Sequence, residues 1–345
     1  MAKILIVVVE IIIFFSIVVN CHSQLQRNKS GSNSAEKEII DYRNEMRNLV
    51  RSMSSYAKSI DNDFIVITQN GNELLQPVKA GNKNNVKLYM ASIDAVAQES
   101  FLYGYSGFNK PTPGNITAEW QQYLDLAVRH NLQVLVSDYC KRKTYVDDSY
   151  QKNHANQYVS FAAGSRLLDV LPDYPEHPFQ SEKSQKHVKN ILQIKNFCYL
   201  ISPSGKKFND FNSFVTAMQN TDYDLLITDL FFDGSSGTLL SADDVKELAK
   251  KQNGGTRLVI AYLSIGEAED YRFYWQSTWK NNPPVFLAEE NPEWEGNYKV
   301  RYWYSSWQKI IFGNENSYLY MILDAGFDGI YLDIIDAFEY FEENE

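Results

Sequence analysis

Eight segments of this chain are almost continuously apolar, and most of them end in polar or acidic residues. They are FIVITQNG (64–71), VKLYMASIDAV (86–96), LQVLVSDYC (132–140), YVSFAA (158–163), FCYLIS (197–202), YDLLITDLFFD (223–233), TRLVIAYLSIGEAED (256–270) and GFDGIYLDIID (326–336). Strands that are apolar on both faces belong to parallel sheets covered by helices, because a sheet with one wet face alternates apolar with polar. Helical patterns such as AEWQQYLDLAVRHN and SADDVKELAKKQ lie between several of the runs. Together they predict an α/β chain folded as a (β/α)8 TIM barrel. A doubly wound open sheet competes with this reading, but no GxGxxG or Walker loop marks a nucleotide site at a switch point.

Ring closure follows from the order of the elements. The eighth run is followed only by AFEYFEENE, and the first is preceded by a helix with no strand of its own. In a ring these two vacancies coincide, so the N-terminal helix is expected to pack beside the C-terminal strand, as in a circularly permuted barrel. That helix places Ile39, Met46, Leu49, Val50, Met53 and Ala57 at helical spacing, with Asn33 and Glu36 spaced as a variant capping box.

Composition narrows the function. A formal charge of −10 argues against a nucleic-acid surface, which needs clustered Lys and Arg. Cys21, Cys140 and Cys198 are too few for a disulfide framework, and neither they nor the five histidines show metal-ligand spacing. No cofactor or metal is therefore expected, and Cys140 reads as a buried thiol. Residues 1–23 have the layout of a secretory signal, with cleavage after Ser23, lipidation at Cys21 and a retained anchor as alternatives. Residues 24–36 read as a flexible linker and 37–345 as the barrel. The expected location is outside the cytoplasm, periplasmic, extracellular or surface-anchored, with membrane contact only through an N-terminal anchor.

Barrel chemistry sits at the C-terminal ends of the strands. The polar residues expected there are Gln69 and Asn70, Asp94 and Glu99, Asp138, Asp229 and Asp233, Ser264, Gly266, Glu267, Glu269, Asp270 and Arg272, then Asp333 and Asp336. A ring of carboxylates without a histidine cluster points first to glycoside hydrolysis, with one acid protonating the leaving oxygen and another attacking carbon or activating water. Magnesium or calcium binding, and plain capping of loops, are the competing uses of such oxygens. Tyr103, Tyr105, Tyr139, Tyr271, Tyr274, Trp275, Trp303 and Tyr304 supply flat rings for sugar faces or for packing.

AYLSIGEAEDYR and GFDGIYLDIIDAFEYF resemble the paired motifs of the glycoside hydrolase family 114 barrels, the endo-α-1,4-polygalactosaminidase group. The resemblance matches a spaced Y-S-G-E-R pattern to Tyr262, Ser264, Gly266, Glu269 and Arg272, and a D-G-x-x-x-D-x-x-D pattern to Asp328, Gly329, Asp333 and Asp336. The family order places these strands early, and Lys-Asn and Asn-Glu strands later. Read as a permutation, Gln69 and Asn70 take the place of the Lys-Asn pair, which removes a positive charge near the sugar. The resemblance implies Asp333 as nucleophile and Glu99 as acid/base. It also implies that Asp138, Asp229, Glu269 and Asp336 position sugar hydroxyls or amines, that Arg272 pairs with one carboxylate, and that Asp94, Ser264 and Tyr103 join the substrate contacts. The expected substrate is an amino-sugar-rich polysaccharide, whose cationic amines suit an acidic cleft. A non-catalytic carbohydrate-binding or surface-assembly protein on the same barrel is the alternative.

Overall fold

The computed structural model describes residues 40–77, 82–176, 186–203 and 208–345. The capping pair Asn33 and Glu36, the signal, the linker and Ile39 lie outside these residues. The unit described below runs from Asp41 to Glu345.

Eight strands form one parallel sheet that is almost closed into a barrel: β1 (Ile65–Gln69), β2 (Ala95–Glu99), β3 (Gln133–Tyr139), β4 (Val159–Ala163), β5 (Cys198–Tyr199), β6 (Leu225–Thr228), β7 (Leu258–Ser264) and β11 (Gly329–Asp333). Their order is β4-β3-β2-β1-β11-β7-β6-β5. The last strand therefore lies between the first and the seventh, with Ile65 opposite Gly329 and Asp333 opposite Ser264. All residues of β1 and β7 are buried, as continuous apolar runs require. Helices α2 (Lys83–Met90), α3 (Gly114–Arg129), α4 (Lys143–Ala155), α5 (Phe211–Gln219), α6 (Ala242–Ala249), α7 (Ser305–Ile311) and α8 (Tyr318–Asp324) fall between the strands, and α9 (Phe338–Asn344) follows β11.

The first helix, α1 (Tyr42–Ile60), starts at Asp41, whose side chain accepts from the Asn44 N–H at 3.1 Å. Met46, Leu49, Val50, Met53 and Ala57 are all buried, the face read from their spacing. The helix packs against α2, α8 and α9. Arg43 forks onto Glu342 in α9 at 2.9 and 3.1 Å, and the Tyr302 hydroxyl donates to the Tyr42 carbonyl at 2.8 Å. The helix that opens the unit thus lies beside the segments that flank its last strand.

One expected strand is half helix. Within 86–96, Val86 and Tyr89 are buried while Lys87 and Leu88 face solvent, so residues up to Met90 belong to α2 and the strand begins at Ala95. A short apolar run carries too few residues to separate a period of two from a period near 3.6. The shift corrects the place of Asp94. It precedes β2 at the opposite end from the strand tips, accepts from the Val66 N–H at 2.8 Å and pairs with Lys58 at 2.9 Å. Asp224 and Asp328 repeat the device before β6 and β11, accepting from the N–H of Lys195 and of Val259.

Asp328 makes this device measurable. Burial pushes its carboxyl up to about 6 although the Val259 N–H opposes the shift. An acid whose folded pKa exceeds its unfolded value holds a proton that the unfolded chain has lost, so it reduces stability as pH rises from about 4 through about 6. Asp328→Asn keeps an acceptor for Val259 without the charge. The difference in melting temperature between Asp328→Asn and wild type is expected to grow in favour of the variant between pH 4 and 7 and then level off. A difference independent of pH would contradict the assignment.

A second sheet, absent from the sequence reading, is inserted between β7 and β11: β8 (Glu267–Glu269), β9 (Leu287–Glu290) and β10 (Asn297–Val300), antiparallel in the order β8-β10-β9. Gly266 makes the bend from β7 into β8. A Cβ there would lie 2.1 Å from the Ile334 carbonyl oxygen, so only glycine lets this bend close on the end of β11.

Candidate active site

The strand tips converge on one cavity of about 360 Å³. β1 delivers Gln69, and the chain then turns through Asn70 and Gly71, both left-handed with φ of 57° and 50°. That turn aims the Asn70 Oδ1 at β2, where it accepts from the Glu99 N–H at 3.1 Å and from Gln98 Nε2 at 3.2 Å. Glu99 ends β2, and the Tyr139 hydroxyl at the end of β3 donates to its Oε1. Far away in sequence but only one strand removed from β2 in the ring, Asp333 ends β11. Its Oδ2 accepts from the Tyr262 hydroxyl of β7 at 2.7 Å and its Oδ1 from the Ile334 N–H at 2.8 Å. In β5, Tyr199 donates to Gln69 Oε1 at 3.3 Å.

Glu99 and Asp333 share an electrostatic environment. Burial first, and then the negative charge of Glu99, hold the Asp333 carboxyl well above the usual carboxylate range, against the Tyr262 and Ile334 hydrogen bonds. Burial also raises Glu99, opposed by the Tyr139 hydrogen bond, the Arg166 charge and Gln69. Both half-buried carboxyls therefore resist ionisation relative to free ones. The Tyr139 donor and the Arg166 cation around Glu99 favour its anion.

A buried ion cluster forms another wall. Arg272 is bidentate to Asp229, at 2.9 and 2.7 Å, and its Nε donates to Glu269 Oε2. The Tyr271 hydroxyl donates to Glu269 Oε1 at 2.6 Å, and Tyr274 accepts from the Glu269 N–H at 3.1 Å. One guanidinium thus organises two carboxylates, where the sequence reading expected one. Glu267 stands beside this cluster, accepting from Asn291 Nδ2 at 2.8 Å and from Lys299 Nζ at 3.4 Å.

Of the expected site residues, Gln69, Asn70, Glu99, Asp229, Glu267, Glu269, Arg272 and Asp333 line this cavity, with Tyr139 and Tyr271 among the expected rings. The others lie elsewhere. Asp94 is at the far end of the barrel. Asp138 points to the outer face of β3, where it accepts from the N–H of Leu102 and Tyr103 and from Ser149 and Asn153 of α4, so it shapes a loop. Tyr103 donates to Asp148 at 2.7 Å and stacks on Tyr145 with centroids 4.7 Å apart. Ser264 is buried and donates to the Glu267 carbonyl at 3.3 Å. Asp336 borders a neighbouring pocket. Trp275 and Trp303 pack against Tyr298 and Phe341, and Cys140 is a buried thiol whose pKa burial raises.

The sequence reading missed Arg166. It follows β4, lies with its guanidinium 4.8 Å from the Tyr139 ring centroid, and donates to the Gly104 carbonyl at 2.7 Å. It brings a positive charge to the cavity that Gln69 also lines. Trp294, Glu295 and Asn297, from the second sheet and its hairpin, were also missed. No local pattern marks any of these, because each reaches the cavity from a loop or an inserted hairpin.

Comparison with known proteins bears on the second half of this site. Residues 203–345 match the family model described as glycoside-hydrolase family GH114, so the chain is GH114-like over that segment, and the match supports a glycoside-hydrolase-like function. An uncharacterized protein of Methanocaldococcus jannaschii is 39% identical over 175 residues, which cover 49% of this chain and 47% of that protein. An uncharacterized protein of Thermotoga maritima is 38% identical over 172 residues, covering 46% of this chain and 51% of the relative. The chain spans about half the length of these curated relatives. The family match includes Asp229, Glu269, Arg272 and Asp333, while Gln69, Asn70, Glu99 and Arg166 precede it.

Proposed function

We propose that this GH114-like chain is a secreted or surface-anchored glycoside hydrolase that cleaves an amino-sugar-containing polysaccharide with two carboxylates. The observation that carries this reading is that Glu99 and Asp333, from strands remote in sequence, line one cavity, where the charge of Glu99 helps to raise the Asp333 carboxyl. In the reaction, Asp333 attacks the anomeric carbon as the glycosidic C–O bond breaks, and Glu99 gives its proton to the departing oxygen. Glu99 then takes a proton from water, whose oxygen displaces Asp333 from the sugar. Tyr262 and the Ile334 N–H orient Asp333, and Tyr139 orients Glu99. These roles require a protonated Glu99 and a charged Asp333 when substrate is bound, so the positive charge of an amino sugar and of the developing oxocarbenium must favour the Asp333 anion.

The donors around Glu99 support a second assignment on the same two residues, with Glu99 as nucleophile and Asp333 as acid. Permutation of the barrel belongs to this proposal, supported by the confinement of the family match to residues 203–345. Export belongs to it as well and rests on the signal-like residues 1–23.

The test is incubation with deacetylated galactosaminan, its N-acetylated form and a panel of neutral and amino-sugar polysaccharides. New reducing ends and shortened oligomers are expected from the deacetylated polymer and at least about tenfold fewer from neutral ones, the discrimination available when a buried polar contact is lost. Binding of these polymers without any cleavage would replace the hydrolase by a carbohydrate-binding protein.

A further inference from the structure

One cation links three strand tips on the wall that carries Glu99. Arg166, just after β4, donates through Nη1 to the Gly104 carbonyl at 2.7 Å, in the loop that follows β2, and its guanidinium lies 4.8 Å from the centroid of the Tyr139 ring at the tip of β3. The same loop fixes Tyr139. Its N–H donates to the Tyr103 carbonyl at 2.8 Å, and its carbonyl accepts from the Asn109 N–H at 3.0 Å. Gly104, with φ of 123°, lies so close that a Cβ there would come within 2.9 Å of Tyr139 Cβ. The Tyr139 hydroxyl donates in turn to Glu99 Oε1.

Arg166 keeps its charge uncancelled. Among the described residues two cations line the cavity, and Arg272 is neutralised by Asp229 and Glu269, whereas no carboxylate forms an ion pair with Arg166. A guanidinium on an aromatic face is held by the ring quadrupole and by stacking. A positive charge there makes the phenol a better donor, and the carboxylate that accepts from it is favoured as the anion. Burial opposes this at Glu99, while Tyr139, Arg166 and Gln69 of β1 act together. The other ionisable groups facing Glu99 are Tyr199 of β5 and Tyr331 and Asp333 of β11, all raised in part by its charge, and Glu73, Asp336 and Glu339 share an adjoining pocket with it.

We propose that Arg166 is a positioning residue for the acid/base of this site: it holds the Tyr139 ring in register with Glu99 and, by its uncancelled charge, makes Glu99 the stronger proton donor. The role in turnover rests on the hydrolase reading, whereas the coupling between the two groups does not. Arg166 precedes the segment that matches the family, so that match assigns it nothing. An acid of this kind has to keep its proton until the glycosidic bond breaks and then persist as an anion until water is deprotonated. Burial serves the first requirement, and Arg166 acting through Tyr139 serves the second.

The experiment has two readouts on the intact chain. Carbon NMR of labelled glutamate carboxyls, with the Glu99 signal identified by its loss in Glu99→Gln, follows the titration of that group directly, and the pH profile of kcat/KM on the polymer follows it in turnover. Arg166 is exposed, so Arg166→Met removes its charge without opening the core. This variant is expected to move both the Glu99 titration and the alkaline limb of the profile to higher pH, and to lower kcat several-fold with KM within about twofold of wild type. Arg166→Lys should restore most of both. The displacement should shrink between about 0.01 M and about 1 M salt, because an exposed charge is screened. An unmoved Glu99 titration in Arg166→Met, an equal displacement by Arg166→Lys, indifference to salt, or movement of the acid limb in place of the alkaline one would overturn the assignment. A moved titration in a chain that cleaves no polymer would keep the coupling of Arg166 to Glu99 and remove the hydrolase. Cleavage with an unmoved titration would do the reverse.

Discussion

Asp333→Asn and Glu99→Gln are each expected to lower turnover of the amino-sugar polymer by about 10³-fold, roughly 4 kcal/mol of transition-state stabilisation. Both variants should fold, because Gln keeps an acceptor for Tyr139, Asn keeps one for the Ile334 N–H while its amide NH2 can donate to the Tyr262 oxygen, and each removes one half-buried carboxyl. Their behaviour toward a substrate with a good leaving group, such as a nitrophenyl amino-sugar glycoside, separates the roles. An activated leaving group needs no proton, so the variant lacking the acid recovers much of its rate and the variant lacking the nucleophile does not. Recovery by Glu99→Gln is the expected result. Recovery by Asp333→Asn instead would exchange the roles, as the donors around Glu99 allow. Equal polymer cleavage by wild type and both variants would eliminate the pair altogether.

Arg272→Ala is expected to cost about 3–5 kcal/mol of folding stability, the usual penalty for breaking a buried ion pair by removing one partner. Arg272, Asp229 and Glu269 are each 4% exposed, so the two carboxylates would be left inside the barrel mouth with the cation gone. The penalty should depend on pH in a known direction. Burial raises the Asp229 carboxyl and the Arg272 charge opposes that rise, so without Arg272 the folded chain holds a proton there that the unfolded chain releases. The deficit against wild type therefore shrinks as pH falls from 8 toward 5. Arg272→Lys, which keeps the charge but cannot fork onto Asp229, should fall between the two. Urea unfolding at pH 8 and pH 5 measures all of this. A stability loss below about 1 kcal/mol, or one that does not change with pH, would mean that the cluster is not the buried charge centre of this site.

Both predictions depend on contacts that differ in how readable they were beforehand. Arg272 and Glu269 are three residues apart, so their pairing could be suspected from local spacing. Asp229 lies 43 residues away from Arg272, and its bidentate contact appears only when β6 and β7 stand side by side. Asp94 and Glu99 both looked like strand-tip acids. They occupy opposite ends of the barrel because residues 86–90 belong to a helix, which moves the whole strand toward Glu99. Asp138 and Tyr139 are adjacent, yet the pleat sends the aspartate outward to α4 and the tyrosine inward to Glu99.

The sequence by itself determined the parallel, doubly covered character of the strands, the buried face of α1 and the set of acids from which the site is drawn. Each of these is a local property, written in the spacing and polarity of a dozen residues or fewer. Tertiary structure alone decided which acids meet. Glu99 and Asp333 share a cavity because β11 is inserted between β1 and β7, and Arg166 and the second hairpin complete the walls from segments with no pattern of their own. A carboxyl's proton is governed by charges and solvent within a few ångströms in space, and closing a barrel sets those distances without regard to separation along the chain.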